Sequence, residues 1–351
     1  MKVIAFVLRG CPAGWLGSYG NEWVVTPNFD RLAAEGVVFD RHYCERVGDR
    51  PAGRQLGVLV RANHPDTDAP ADYYAGWGQV FDARPRPDDD SPLQHLLEVF
   101  PTLPETSFLC VETDALLPPW DVSQDVFAAY LADPDEEEAH ESDVEYEGDE
   151  PAAEVVPEEA ATPWFDPPPG PFDFTDDDAR EWLHTSFAAV VTKLDAELGE
   201  VFELLREKGL DRTAAWIVTS DFGYPLGEHG YIGPHLPHEE LVHLPLVVRL
   251  PGGAEAGRRI AAITQPPDVW PALDALTKGE RIAGREFAVS VSDAGSAIRT
   301  AEWAFVKPTD GDAMLFEKPD DRWELNDLRA RNVDLVEELE ARLRAELDRP
   351  A

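Results

Sequence analysis

The sequence of 351 residues predicts an α/β fold: a large, mainly parallel central sheet flanked by helices, with a small C-terminal antiparallel-sheet-plus-helix subdomain. Three observations carry this expectation. Apolar, β-branched runs stand at Val3–Leu8, Ser107–Glu112, Ala214–Thr219 and Leu244–Leu250. Helical periodicity lies between several of them, most clearly over Leu183–Lys208, and strands alternating with helices imply parallel neighbours covered on both faces. The stretch after residue 295 reads as two strands around a polar Thr-Asp-Gly-Asp turn, followed by the amphipathic run "NVDLVEELEARLRAEL".

The first run, "VIAFVL", is too short for a signal core and stops at Arg9-Gly10 without a small-residue cleavage site, so it reads as strand one. The helix over 183–208 ends near Gly209, and the strand "AAWIVT" then emerges at Ser220-Asp221. Open α/β sheets place ligands at the carboxyl ends of their strands, which brings Asp221 toward Arg9-Gly10. The chain divides into a main α/β domain over residues 1–278 and a C-terminal subdomain over 279–351. Residues 133–178 interrupt the first with about twenty Asp and Glu, no Lys or Arg, and clustered prolines. Such composition buries too little surface to order itself, so a disordered acidic insert is expected. It reads as a solvated loop or as a tether for a basic protein partner, with Trp164, Phe165, Phe172 and Phe174 as anchors.

The formal net charge of −39 argues against nucleic acid and against an anionic membrane surface as partners. No run approaches the roughly 18 apolar residues that span a bilayer. The three cysteines, Cys11, Cys44 and Cys110, lack the paired spacings of a disulfide framework or a thiolate zinc site. Free thiols and a cytoplasmic location are expected.

Several segments together resemble the sulfatases of the alkaline phosphatase superfamily. They are Leu16-Gly17-Ser18-Tyr19-Gly20-Asn21, Thr26 to Asp30 and Leu32 to Phe39; then Thr219 to Gly223, Leu226-Gly227-Glu228-His229-Gly230 and Glu239 to Arg249. Later come "ITQPPDVWPALDAL", Ile298-Arg299-Thr300 with Trp303, and Leu315 to Leu328. Only Leu56 to Pro101 and the acidic insert lack the likeness. The resemblance implies sulfuric ester hydrolysis with calcium as the family metal, held by an Asp-Asp pair after strand one and by Asp followed by Asn or His later. It also implies a Cys or Ser nucleophile, converted to formylglycine, in Cys/Ser-x-Pro-x-Arg.

Most of those positions are substituted. Arg9-Gly10 stands for the Asp-Asp pair, and Asp221 remains while Phe222 takes the second place of the later pair. Asp49 occupies the nucleophile position, Pro51 is kept, and Gly53 replaces the arginine, with Arg54 one place on. Pro234 stands for the family lysine, and the family's His-x-Pro survives only as "ALLPPW", Ala115 to Trp120. Arg9 is expected to pair with Asp221 and stand in for the lost metal.

The sequence therefore reads as a catalytically degenerate pseudo-sulfatase with a binding or scaffolding role and no cofactor. Its pocket candidates are Arg9, Gly10, Asp49, Arg54, Asp221, Phe222, His229 and His235; Asp221 and His229 are the residual metal candidates. The alternative is a sulfuric or phosphoric ester hydrolase with substitute metal ligands from "GEHGYIGPHLPHEELVH", which holds His229, His235, His238 and His243 with Glu228, Glu239 and Glu240. Two further readings are binding of a small anionic ligand by Arg9, Arg50 and Arg54, and Asp49 with Asp221 as an acid-base pair.

Overall fold

The computed structural model describes residues 1–47, 100–102, 108–131 and 161–349. In chain order its main elements are β1 (Lys2–Leu8), α1 (Pro27–Glu35), β2 (Val37–Tyr43), β3 (Phe108–Thr113), α2 (Gln124–Ala128), β4 (Gly170–Pro171), α3 (Asp177–Glu207), β5 (Ala214–Thr219), β6 (Tyr231–Ile232), α4 (Glu239–Val242), β7 (His243–Leu244), β8 (Leu246–Arg249), β9 (Arg258–Thr264), α5 (Val269–Thr277), β10 (Ala288–Val291), β11 (Gly295–Arg299), β12 (Trp303–Pro308), β13 (Met314–Glu317) and α6 (Val333–Leu347).

The large sheet has seven strands in the order β3-β1-β5-β8-β2-β7, with β9 also pairing β2. β3, β1 and β5 run parallel, and β9 runs parallel to β2. β8 runs antiparallel to both β5 and β2, so the sheet is mixed but mainly parallel. The run expected as one strand over 244–250 is split at Pro245, whose missing N–H cannot donate to a ladder.

Both faces of the sheet are covered, which explains why β1 is buried along its whole length. On one face lies α3, with Leu183, Phe187, Val190, Leu194, Leu198, Phe202 and Leu205 buried at helical spacing. Phe202 meets Phe6 edge-on at 5.6 Å and stacks on Trp216 at 5.7 Å. Full burial of each such large side chain contributes roughly 1.5–3 kcal/mol. On the other face Val3, Val7, Phe39, Ile217 and Val248 pack against Val269, Leu273 and Leu276 of α5. The amino end of α1 is fixed by buried Asp195 of α3, which accepts from the Asn28 and Phe29 backbone N–H groups at 3.1 and 2.8 Å. That meets orphan donors of the first turn.

β10 to β13 form a four-stranded antiparallel sheet, and α6 lays Leu339 and Leu343 on Ile298, Phe305 and Leu315. Among the described residues no helix is long and apolar enough to cross a membrane.

The acidic insert differs from expectation over its second part, since residues 161–178 are ordered by aromatic docking. Trp164 stacks on Trp182 at 4.6 Å, and its backbone N–H donates to Ser186 Oγ. Phe172 fills the notch over Gly227, where an added Cβ would lie 2.3 Å from the ring. Phe174 lies 6.1 Å from the His184 ring and beneath the Arg180 guanidinium, so three of the four expected anchors are engaged within the chain. Phe165 remains 60% exposed. The prolines preclude a helix, but they do not prevent an extended strap from burying its aromatic side chains.

Candidate functional site

Strand register builds the site. Leu8 pairs with Thr113 of β3, and Val7 pairs with Thr219 of β5. Continuing each parallel ladder places Arg9 beside Asp114 on one side and Asp221 on the other. The contacts follow: Arg9 Nη1 donates to Asp114 Oδ1 at 2.6 Å, and Arg9 Nε donates to Asp221 Oδ2 at 2.9 Å. The arginine side chain is 5% exposed and the two aspartates 22% and 29%, so solvent reaches the cluster from the carboxylate side.

The electrostatics are those of a crowded pocket. Burial opposes the charge on Arg9, but Asp221 and Asp114 overcome it and raise its pKa. Burial pushes the Asp221 carboxyl up, Arg9 pulls it back, and Glu112 adds to the upward push.

Around this charged centre the cleft floor is apolar. Gly10 has φ +83°, and a Cβ there would lie 2.5 Å from Leu117 Cδ2. Leu117 comes from the "ALLPPW" segment, so a leucine packs where the resemblance looks for a substrate-side histidine. Phe222 is buried with Tyr43, Cys44, Leu241, Val242 and Leu244, with Leu117 against the cluster. The Arg9 guanidinium lies 5.6 Å from the Phe222 ring centroid. Cys11 and Cys44 are buried free thiols whose pKa burial pushes up to about 12, so neither is a ready nucleophile.

The four positions expected to ligate calcium do not fit a hard divalent cation. Arg9 brings positive charge, and Gly10 and Phe222 offer no side-chain oxygen. Asp221 commits Oδ2 to Arg9 and Oδ1 to the Phe222 N–H at 3.0 Å. Hard cations require six or more oxygen ligands, including solvent.

The histidine-rich segment is dispersed into separate partnerships. The His229 and His238 rings stack at 3.7 Å; His229 Nε2 lies 3.5 Å from Glu240, and His238 Nδ1 lies 2.7 Å from Glu324. His235 stacks on Tyr231 at 4.1 Å. His243 faces Glu239 through Nδ1 at 2.9 Å and the Asp40 carbonyl through Nε2 at 2.9 Å. Burial lowers the pKa of His235 and of His238, whereas Glu240 outweighs burial at His229 and raises it. Among the described residues no group of three His, Cys, Asp or Glu side chains could hold a metal ion.

Arg9, Gly10, Asp221 and Phe222 are thus brought together, and His229 and His235 lie on the neighbouring segment after Gly227. Asp49, Arg50 and Arg54 lie outside the described residues. Sequence reasoning passed over Asp114 and Leu117. Asp114 carried a usable signal, since it stands two residues beyond the expected strand 107–112, at the edge where ligand groups gather.

A sequence profile of the sulfatase family matches residues 58–279. The match takes in most of Leu56 to Pro101, which corrects the expectation that this stretch lacks the likeness, and leaves out the segments between Leu16 and Phe39. An N-acetylglucosamine-6-O-sulfatase of Bacteroides thetaiotaomicron is 35% identical over 86 residues, 24% of this chain and 15% of that protein. Arylsulfatase K of Bos taurus is 22% identical over 210 residues, 50% of this chain and 38% of that protein. The chain therefore matches well under half the length of these curated relatives. A solved 4S-sulfatase structure from a glycosaminoglycan-metabolism locus of Bacteroides thetaiotaomicron superposes with a TM-score of 0.65 at 16% identity, covering 96% of this chain and 94% of the other. By the profile match over most of its length, supported by this shared fold, the chain belongs to the sulfatase family of the alkaline phosphatase-like superfamily.

Proposed function

We propose that this chain is a non-hydrolysing member of its family, a pseudo-sulfatase whose inherited cleft binds or scaffolds. The observation that carries the reading is the closure of Arg9 on Asp114 and Asp221 at the strand ends. Sulfate ester cleavage needs an activated nucleophile and positive charge free to stabilise the ester oxygens in the transition state. The Arg9 guanidinium is committed to two carboxylates, and Asp49 cannot become formylglycine. Leu117 and Phe222 add apolar packing where polar substrate contacts would be required.

The same charges bear on the ligand. One guanidinium with two carboxylates sums to one negative charge, which disfavours a small anion at this point. A neutral or cationic ligand fits better, and a basic protein partner reached through the acidic run after Leu131 is part of this proposal. A reducing, cytoplasmic setting completes it, supported by the buried free thiols of Cys11 and Cys44.

The test is hydrolysis of aryl sulfate and aryl phosphate by the purified chain, in calcium, in manganese and in EDTA. No turnover above the buffer rate is expected in any of them. Turnover that EDTA abolishes would establish the hydrolase reading with substitute ligands instead.

A further inference from the structure

We infer that the Arg9 guanidinium is a resident cation, carried by the chain itself, that holds together the ends of β1, β3 and β5, and that removing it would convert the Asp114–Asp221 pair into a site for a divalent ion. The inference rests on the reading of the cleft given above and extends it to what replaced the metal.

Three features support it. Arg9 is nearly buried, and a buried guanidinium without counter-charge is strongly disfavoured, so its two ion pairs are a condition of its placement. The pairs use two separate nitrogens of the planar fork, Nη1 toward β3 and Nε toward β5, which fixes both strand ends relative to β1. Gly10 carries the backbone onward at φ +83° and forms an isolated bridge to Gly223, so the chain leaves β1 and β5 side by side directly above the cluster.

The consequence for a variant is electrostatic. Truncating Arg9 leaves two carboxylates facing one another across the vacated space, with Glu112 adding negative potential at Asp221. Two carboxylates with water at the remaining positions can take a divalent ion, weakly. In the native chain the guanidinium fills that role, so added ions should do nothing.

Thermal unfolding tests this in the full chain, comparing EDTA with about 10 mM calcium chloride at ionic strength matched by sodium chloride. The native midpoint should be the same in both. Arg9→Ala should unfold lower in EDTA and rise by about 2 °C or more in calcium, as expected for millimolar affinity. The triple variant Arg9→Ala, Asp114→Asn, Asp221→Asn should show no calcium response. Equal responses in all three proteins, or an Arg9→Ala midpoint unchanged from native, would overturn the inference.

Should Arg9→Ala fail to fold, the double variant Arg9→Ala, Asp221→Asn decides. Relief of the uncompensated charge should recover soluble protein, and equal insolubility would contradict the counter-charge account. The two claims also fail separately. Aryl sulfate turnover by the native chain would remove the functional reading, whereas a native midpoint that climbs in calcium would remove this one.

Discussion

Arg299→Met should destabilise the protein by about 3–5 kcal/mol, the cost of leaving one side of a buried ion cluster unpaired. Arg299 stands in β11 with its side chain 1% exposed, and its Nη2 donates to the Pro237 carbonyl at 2.7 Å and to Glu324 at 2.9 Å. Its Nε lies 3.5 Å from Glu239. Lys318 completes the cluster, 3.1 Å from Glu239 and 3.2 Å from Glu324, and His238 faces Glu324 from the main domain. This cluster ties the C-terminal sheet to α4 and to the segment preceding it. Burial pushes the Glu324 carboxyl up, but Arg299, His238 and Lys318 overcome it and hold it well below the usual carboxylate range.

Glu239 behaves alike. Burial raises it, Lys318, His243 and Arg299 lower it, and the result is about 2 against an ordinary 4.5. A depressed folded-state pKa gives stability that is complete above the unfolded value and lost as pH falls toward the folded one. The Glu239 contribution is therefore full above about pH 4.5 and disappears toward pH 2. At neutral pH the Arg299→Met midpoint should fall by roughly 6–10 °C. A loss below about 1 kcal/mol would mean that Lys318, helped by the hydrogen bond between His238 and Glu324, compensates both glutamates without Arg299.

Restoring the family's carboxylate pair should harm the protein and return no activity. Gly10→Asp forces a non-glycine residue to φ +83° and drives its Cβ to within 2.5 Å of Leu117 Cδ2. The left-handed backbone costs about 1–2 kcal/mol and the overpacking about 1–3 kcal/mol more. Adding Arg9→Asp removes the only positive side chain seen between Asp114 and Asp221 in the described cluster and brings the carboxylates at these strand ends to four. The double variant should unfold several degrees below native in EDTA and remain silent toward aryl sulfate, because Asp49 still holds the nucleophile position. A Gly10→Asp protein with native stability would show that Leu117 yields readily and that the apolar floor is not fixed.

Much of the frame was legible because strand and helix signals are local. The runs at 3–8 and 214–219 form β1 and β5 almost unchanged, and the rule that ligands gather at strand carboxyl ends places Arg9 near Asp221 from sequence alone. Asp114 was harder. Its place at a strand's carboxyl end is legible, but its pairing with Arg9 depends on β3 lying beside β1 in a particular register, which no local pattern encodes. Leu117 acts only by filling space against Gly10, and a leucine in a proline-rich segment carries no chemical signal.

The histidine-rich segment shows the opposite failure. Proximity in sequence suggested a shared site, but the turn through His229, at φ +55°, and the stacking of its ring on His238 send neighbouring side chains to separate partners. Over 161–178, the acidic and proline-rich composition conceals the docking of the aromatic side chains. The docking of Trp164 and Phe172 depends on partners on α3 and beyond β5, which composition does not reveal.

The most direct test of the central claim is the calcium content of the native chain, measured by elemental analysis after incubation with excess calcium and exhaustive dialysis into metal-free buffer. The Arg9 cluster predicts far less than one calcium per chain, with or without a final EDTA step. One calcium per chain that survives dialysis and is lost only to EDTA would contradict it, and would mean that the strand ends still hold a cation which Arg9 does not replace.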